Sequence, residues 1–486
     1  MVPADPGGGR LMRADTLTEP VEGLDEALAA VDALDRALTA GLLRPRPAQA
    51  ADLTTLADAV AASPLASRVT EATEKAAAGT AAEDHFLALA AARTALLGAA
   101  HDALAERIAE AVGRRETPAD DRESGEDADS PADAPGLAAR DTANLRAAAR
   151  TWLTDLARAG WQGIDHELIA GAAPVVSALL AEPSARRPAA LLDGFAAELA
   201  ASCPGAALER IPARRWGDLW ARGMLLAVPG ADDIHAPGTV TGRLLPLGVD
   251  LHEHATAAQA QVHAVLEPAD GGTPLLVRAS VSVPKPDTVV GAGVWQLLRP
   301  HMSLLAALGE GRAMELDGMP VTAEGDLLWD DGHARVDEPA DAFTTARVAL
   351  PTAATAPTAP LDRHPARLAV PVLLEGYTVE QDGDRVTFTV AGQALAVDTD
   401  RIPAAGPLTP DAVAGSGACI GLLRWDGGRF AVQPLAVETV VRKKPVALHA
   451  GAWAGGTTDK AGVKAEKAAT DAVAVLRERA GRLLRK

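Results

Sequence analysis

The 486-residue chain carries 46 Lys and Arg against 65 Asp and Glu, a formal net charge of −19, with 48% apolar residues. That length exceeds one ordinary core and predicts two to four domains of roughly 100–200 residues each. The acidic balance excludes a global nucleic-acid surface, which needs excess Lys and Arg, and two cysteines, Cys203 and Cys419, cannot build a disulfide framework or a cysteine-based zinc site.

Residues 1–20 have no apolar stretch of the kind that opens a signal peptide and read as a disordered leader. No run approaches the roughly 18–20 apolar residues that span a bilayer, so no membrane span is expected and a cytoplasmic location is the default. From Val21 the spacing turns helical. Leu24, Leu28, Val31, Leu34 and Leu38 recur at three or four residues, and Phe86, Leu89, Ala92, Leu96, Ala100, Leu104 and Ile108 form one long stripe. This predicts a helical domain over 21–113. Residues 114–137 hold eight acidic residues and no large apolar one before Leu137, so they cannot offset their ordering entropy and read as an acidic linker. A second helical domain is predicted over 138–237.

Within it, Arg214–Leu226 is the most distinctive helix. Trp216 and Trp220 mostly share a face, with Arg215 and Arg222 beside them. Trp and Arg dominate protein interfaces, so these four residues are interaction candidates. The alternative is a buried helix that packs the two halves of the chain together.

The period changes to two near Gly238. Val262, Ala264 and Leu266, then Leu275, Val277, Ala279, Val281 and Val283, alternate with polar residues across the turn Asp270-Gly271-Gly272. That is a hairpin with one wet face. A β unit is predicted over 238–337, a Pro/Thr/Ala linker over 338–365, and a second β unit over 366–442. Leu327-Leu328-Trp329-Asp330-Asp331-Gly332 echoes Leu422-Leu423-Arg424-Trp425-Asp426-Gly427-Gly428, which suggests duplicated units with matching tryptophan hairpins. The alternative is that Asp-Gly turns beside apolar strands are common. The fold class is therefore α+β: a helical N-terminal half, a β-rich C-terminal half and a basic terminal helix.

Asp250, His252 and His254 alternate along a strand and so share a face, with His263 on the next strand. One carboxylate and three imidazoles suit zinc or iron, which would make a metal-dependent hydrolase or oxygenase. The competing reading, favoured here, is a solvated strand end with no metal and no cofactor. No P-loop, dinucleotide fingerprint, G-x-S-x-G elbow or H-E-x-x-H motif occurs.

Residues 442–486 hold eleven basic residues against four acidic ones, a net +7 that leaves −26 on the rest of the chain. Val473, Leu476, Ala480 and Leu483 make an apolar seam, with Arg477, Arg479, Arg482 and Arg485 around it. Such a helix binds an acidic partner surface or nucleic acid, or lies on the acidic body as a solvated face. Nucleic acid is an option only through these residues.

The segments Arg215–Trp220 and Gly242–His254 resemble parts of uncharacterised actinobacterial proteins found in gene neighbourhoods of MoxR-type AAA ATPases and von Willebrand A-domain proteins. The resemblance covers about 60 residues and no catalytic motif, and it implies an accessory role beside an ATPase. The favoured function is a non-enzymatic scaffold or adaptor with a protein partner of unknown identity.

Overall fold

The computed structural model describes residues 13–114, 137–231 and 238–483. Its first part is helical: α1 (Ala14–Thr18), α2 (Leu24–Ala40), α3 (Pro47–Ala59), α4 (Ala66–Ala77), α5 (Glu83–Val112), α6 (Leu137–Ala159), α7 (His166–Ala170), α8 (Ala172–Ala181), α9 (Arg186–Ala201) and α10 (Ala213–Leu226). Alanine-rich stretches carry little cost to helix formation, and the leucines at three- and four-residue spacing give each helix a buried side.

The two helical blocks make one core. Leu34, Leu38, Phe86 and Leu89 meet Leu153, Trp161, Phe195 and Trp220 in it. The predicted division into 21–113 and 138–237 is therefore redrawn: each block packs within itself, but α10 of the second block lies on α2 and α5 of the first, and one core holds residues of both. The leader boundary is corrected too. Residues 1–12 lie outside the described residues, but Ala14 and Leu17 of α1 are buried, and the Arg13 amide donates to the Ala111 carbonyl at 2.8 Å. The predicted acidic linker falls almost wholly on 115–136, outside the described residues.

Helix α5 is about 45 Å long at 1.5 Å per residue. Its first half lies in the helical core, while Ala100, Leu104, Ile108 and Ala111 enter the core of the β half. One helix thus serves both halves.

The β half contains β1 (Gly238–Glu253), β2 (Ala257–Pro268), β3 (Leu275–Pro284), α11 (Ala292–Leu298), α12 (Leu304–Glu310), β4 (Arg312–Val321), β5 (Asp326–Leu327) and β6 (Ala334–Pro339). After these come α13 (Ala342–Val348), β7 (Ala354–Thr355), β8 (Val370–Glu375), β9 (Thr378–Asp382), β10 (Arg385–Val390) and β11 (Gln393–Val397). The last elements are α14 (Pro410–Ala414), β12 (Ala418–Asp426), β13 (Arg429–Val441), β14 (Lys444–His449) and α15 (Lys460–Leu483).

The first sheet runs β1-β2-β3-β5-β4-β6, with β7 on β3, and closes on itself through β1–β4 pairing. The second runs β8-β12-β13-β11-β10-β9, with β14 on β13. A bulge between Pro246 and Gly248 changes the parity of β1. Leu244 and Val249 therefore face one core, while Leu245 and Leu247 face another shared with α13 and the second sheet. Gly248 allows the strands to cross: a Cβ there would lie 2.7 Å from the Leu435 Cβ.

Three further expectations are redrawn. Trp425 lies in the β12–β13 hairpin opposite Phe430, whereas Trp329 follows the two-residue β5 and donates its Nε1 to Asp331 at 2.7 Å. The matching hairpin is absent at Trp329, because Asp330 and Asp331 open a short 3₁₀ turn there. The expected linker 338–365 is packed, with Phe343 fully buried. Finally, Lys444–His449 is β14, so Arg442 and Lys443 sit at a hairpin turn and not in a tail.

Candidate functional site

Beyond the bulge, Asp250 and His252 point away from the interior of the first sheet and toward the second. His263 of β2 shares that face, since it lies opposite Gly248 and diagonal to Asp250. The Asp250 carboxylate is buried and fully engaged. Arg424 Nη2 donates to its Oδ2 at 2.6 Å, Gln433 Nε2 to its Oδ1 at 2.7 Å, and His252 Nε2 lies 2.8 Å from Oδ2. Arg424 Nε in turn donates to Gln433 Oε1 at 2.6 Å. Burial opposes ionisation of Asp250, but the hydrogen bond from His252 and the Arg424 guanidinium outweigh it and hold the carboxyl well below its usual range.

The imidazoles do not converge. His252 is half-exposed and His254 lies exposed at the β1–β2 turn, where its amide donates to the Ala257 carbonyl at 2.9 Å. His263 is buried, and its Nε2 has no hydrogen-bond partner among the described residues. Among the described residues no group of three or more His, Cys, Asp or Glu is placed to hold a metal. The single carboxylate of the set is already neutralised by an arginine. Among the described residues His252, His254 and His263 thus form no common ligand set with Asp250. The cluster joins the two sheets.

The α10 candidates are also structural. Trp216 and Trp220 are buried. Trp220 Nε1 donates to the Leu153 carbonyl at 3.0 Å, and Trp216 Nε1 donates to Glu198 Oε1 at 3.0 Å and meets Trp161 edge-on at 6.1 Å. Arg215 is exposed and grips Glu198 at 2.7 and 2.8 Å, while Arg222 reaches Asp362 at 3.3 Å. The tryptophans are buried as the alternative expected, but within the helical core and not between the two halves; of these four residues, Arg222 on Asp362 makes the contact beyond it. Beside α10 lies an open groove of about 490 Å³ lined by Asp32, Asp35, Arg210, Arg214 and their neighbours. Its acids are already engaged. Arg214 chelates Asp32 at 2.6 Å, and the fully buried Arg93 holds Asp35 at 2.8 and 3.0 Å.

Cys419 offers no accessible nucleophile. It is fully buried, and burial pushes its thiol up.

Helix α15 differs from all of these. Asp459 caps it, accepting from the amides of Ala461 and Gly462 at 3.0 and 3.1 Å. Its first half docks on α11. Arg299 Nη2 donates to Glu466 Oε1 at 2.7 Å, Gln296 Nε2 donates to the Glu466 carbonyl at 3.1 Å and to Thr470 Oγ1 at 3.2 Å, and Ala469 seats against Gly293. Past Thr470, Val473 and Leu476 are half-buried and Ala480 is exposed. Arg477, Arg479 and Arg482 are exposed. Among the described residues, the ion pair Arg482–Glu478 within the helix is the only one made by 471–482. Arg485 lies outside the described residues. No helix among the described residues is long and apolar enough to cross a membrane. In comparisons with known proteins, no family model, curated protein or solved structure matches the chain.

Proposed function

We propose that the chain is a non-enzymatic protein-interaction or adaptor protein that engages its partner through the basic terminal helix. The observation that carries this reading is the half of α15 beyond Thr470: a helix whose Arg477, Arg479 and Arg482 are exposed and whose Val473 and Leu476 are only half-buried. The other polar candidates are consumed in holding the fold, as with Asp250, Trp216 and Arg222. An accessory role beside an AAA-type ATPase is the version to test first, given the sequence resemblance. The test is purification of the native complex with the full chain and with a chain ending at Thr470. Loss of one partner with the truncated chain, at unchanged thermal midpoint, is the expected outcome. Equal recovery of every partner would overturn the reading.

Nucleic-acid binding is the second reading, favoured by Arg442, Lys443 and Lys444 at the end of an exposed hairpin. Affinity for duplex DNA that falls steeply with salt would support it.

A further inference from the structure

We propose that the overhanging half of α15 is a docking strip for a partner α-helix that carries an apolar seam flanked by acidic residues. This rests on the adaptor reading and narrows it to a partner class.

The stripe comes first. Residues 466, 469, 473, 476 and 480 recur at alternating intervals of three and four, the spacing of a helix seam that packs on another helix. The first two positions already do so, through the Glu466 carbonyl on Gln296 and Ala469 on Gly293. Helix α11 has only seven residues, about 10 Å, so it ends while the stripe continues. Residues 471–483 extend roughly 20 Å further along the same line. The free seam is thus continuous with an interface the chain already makes. A second helix laid along it would continue the packing that α11 begins.

The flanks choose the occupant. With 473 and 476 as the seam, Arg477 and Arg479 stand on either side of it, and both are exposed. Glu478 lies on the opposite face with Arg482. No acidic residue borders the seam between 472 and 480. A second copy of this helix, parallel or antiparallel, would bring arginines against arginines at the flanking positions, where like charges select against pairing. A helix with Glu or Asp at those positions is complementary. Alanine at 480 leaves little apolar area, so discrimination comes from the charges more than from burial.

The test uses the full chain and two labelled 28-residue peptides. Both carry Leu at every seam position; one has Glu and the other Lys at every flanking position. Fluorescence anisotropy at low salt should show the Glu peptide binding at least about tenfold tighter, with the difference shrinking severalfold as salt rises past physiological strength. Arg477→Glu with Arg479→Glu should reverse the preference, and Leu476→Asp should weaken binding of the Glu peptide about tenfold or more. Both sites are on the free half of the helix, so the body should unfold at an unchanged temperature. Equal binding of the two peptides, or none, would overturn the assignment. So would self-association of the chain lost in Leu476→Asp, or duplex DNA displacing the Glu peptide. If the peptides fail but truncation at Thr470 still strips the native partner, the adaptor reading stands and the helix assignment alone falls.

Discussion

His263 is buried between the two sheets with an unpartnered Nε2. Burial, with Arg278, Arg424 and His252 adding positive charge nearby, lowers its pKa to about 3, against the pull of Asp250. The folded state therefore keeps it neutral, while an unfolded chain protonates it near pH 6.5. Between those values the unfolded state binds more protons. The stabilisation is complete above about pH 6.5 and is lost as pH falls toward 3. At pH 5 the loss from this one residue is about 2 kcal/mol. His364, lowered to about 4 mainly by burial, and His449, lowered by burial, act in the same direction. His263→Leu should flatten the fall in thermal midpoint between pH 6.5 and 5; an unchanged slope would move the cause to His364 or His449. The sequence shows Asp250, His252 and His263 on one face. It hides their neutralising partners, because Arg424 and Gln433 lie 174 and 183 residues from Asp250. A metal site and a buried salt-bridged joint look alike until the second sheet is in place.

Elements with a clean period were legible, and those set by exceptional turns were not. The alternation in β2 and β3 and the stripe of α5 could be read directly. The β13–β14 hairpin could not, because its two-residue turn is Arg442-Lys443, with φ of 51° and 66°. Both sit in the left-handed region, where such turns favour Asn-Gly and L side chains are strained. The end of β13 and most of β14 are exposed, with Val440 at 76%. A two-stranded ribbon that leaves its body is marginal in water. Arg442→Asn with Lys443→Gly should therefore stabilise the ribbon by about 1 kcal/mol, roughly fivefold slower exchange of its cross-strand amides, with little change in the global midpoint. Faster exchange in that variant would mean the basic side chains themselves hold the turn.

At the scale of the whole molecule, the segment expected to be a linker is the clamp between the halves. Asp362 accepts from Arg222 of α10 and from Arg367, and Arg187 of α9 lies 3.7 Å away. Arg363 Nη1 reaches Asp102 of α5 at 3.1 Å. Pro and Thr gave this stretch the composition of a linker, but Pro365 and Leu368 are buried and fix its path. One carboxylate thus stands among three arginines drawn from both sides of the joint. Burial and the nearby Arg367 and Arg187 disfavour the charge on Arg222, and Asp218 and Asp362 offset this only in part. Removing Asp362 leaves three cations facing one another. Because the site is partly exposed, the cost is modest, about 1–2 kcal/mol, and is screened by salt. Asp362→Ala should lower the unfolding midpoint at low salt and recover much of it at high salt. Calorimetry should also broaden or split the transition, since α5 would then be the main element shared by the two cores. A single sharp transition with no salt-dependent loss would show that α5 and the apolar contacts around Leu368 couple the halves without the clamp.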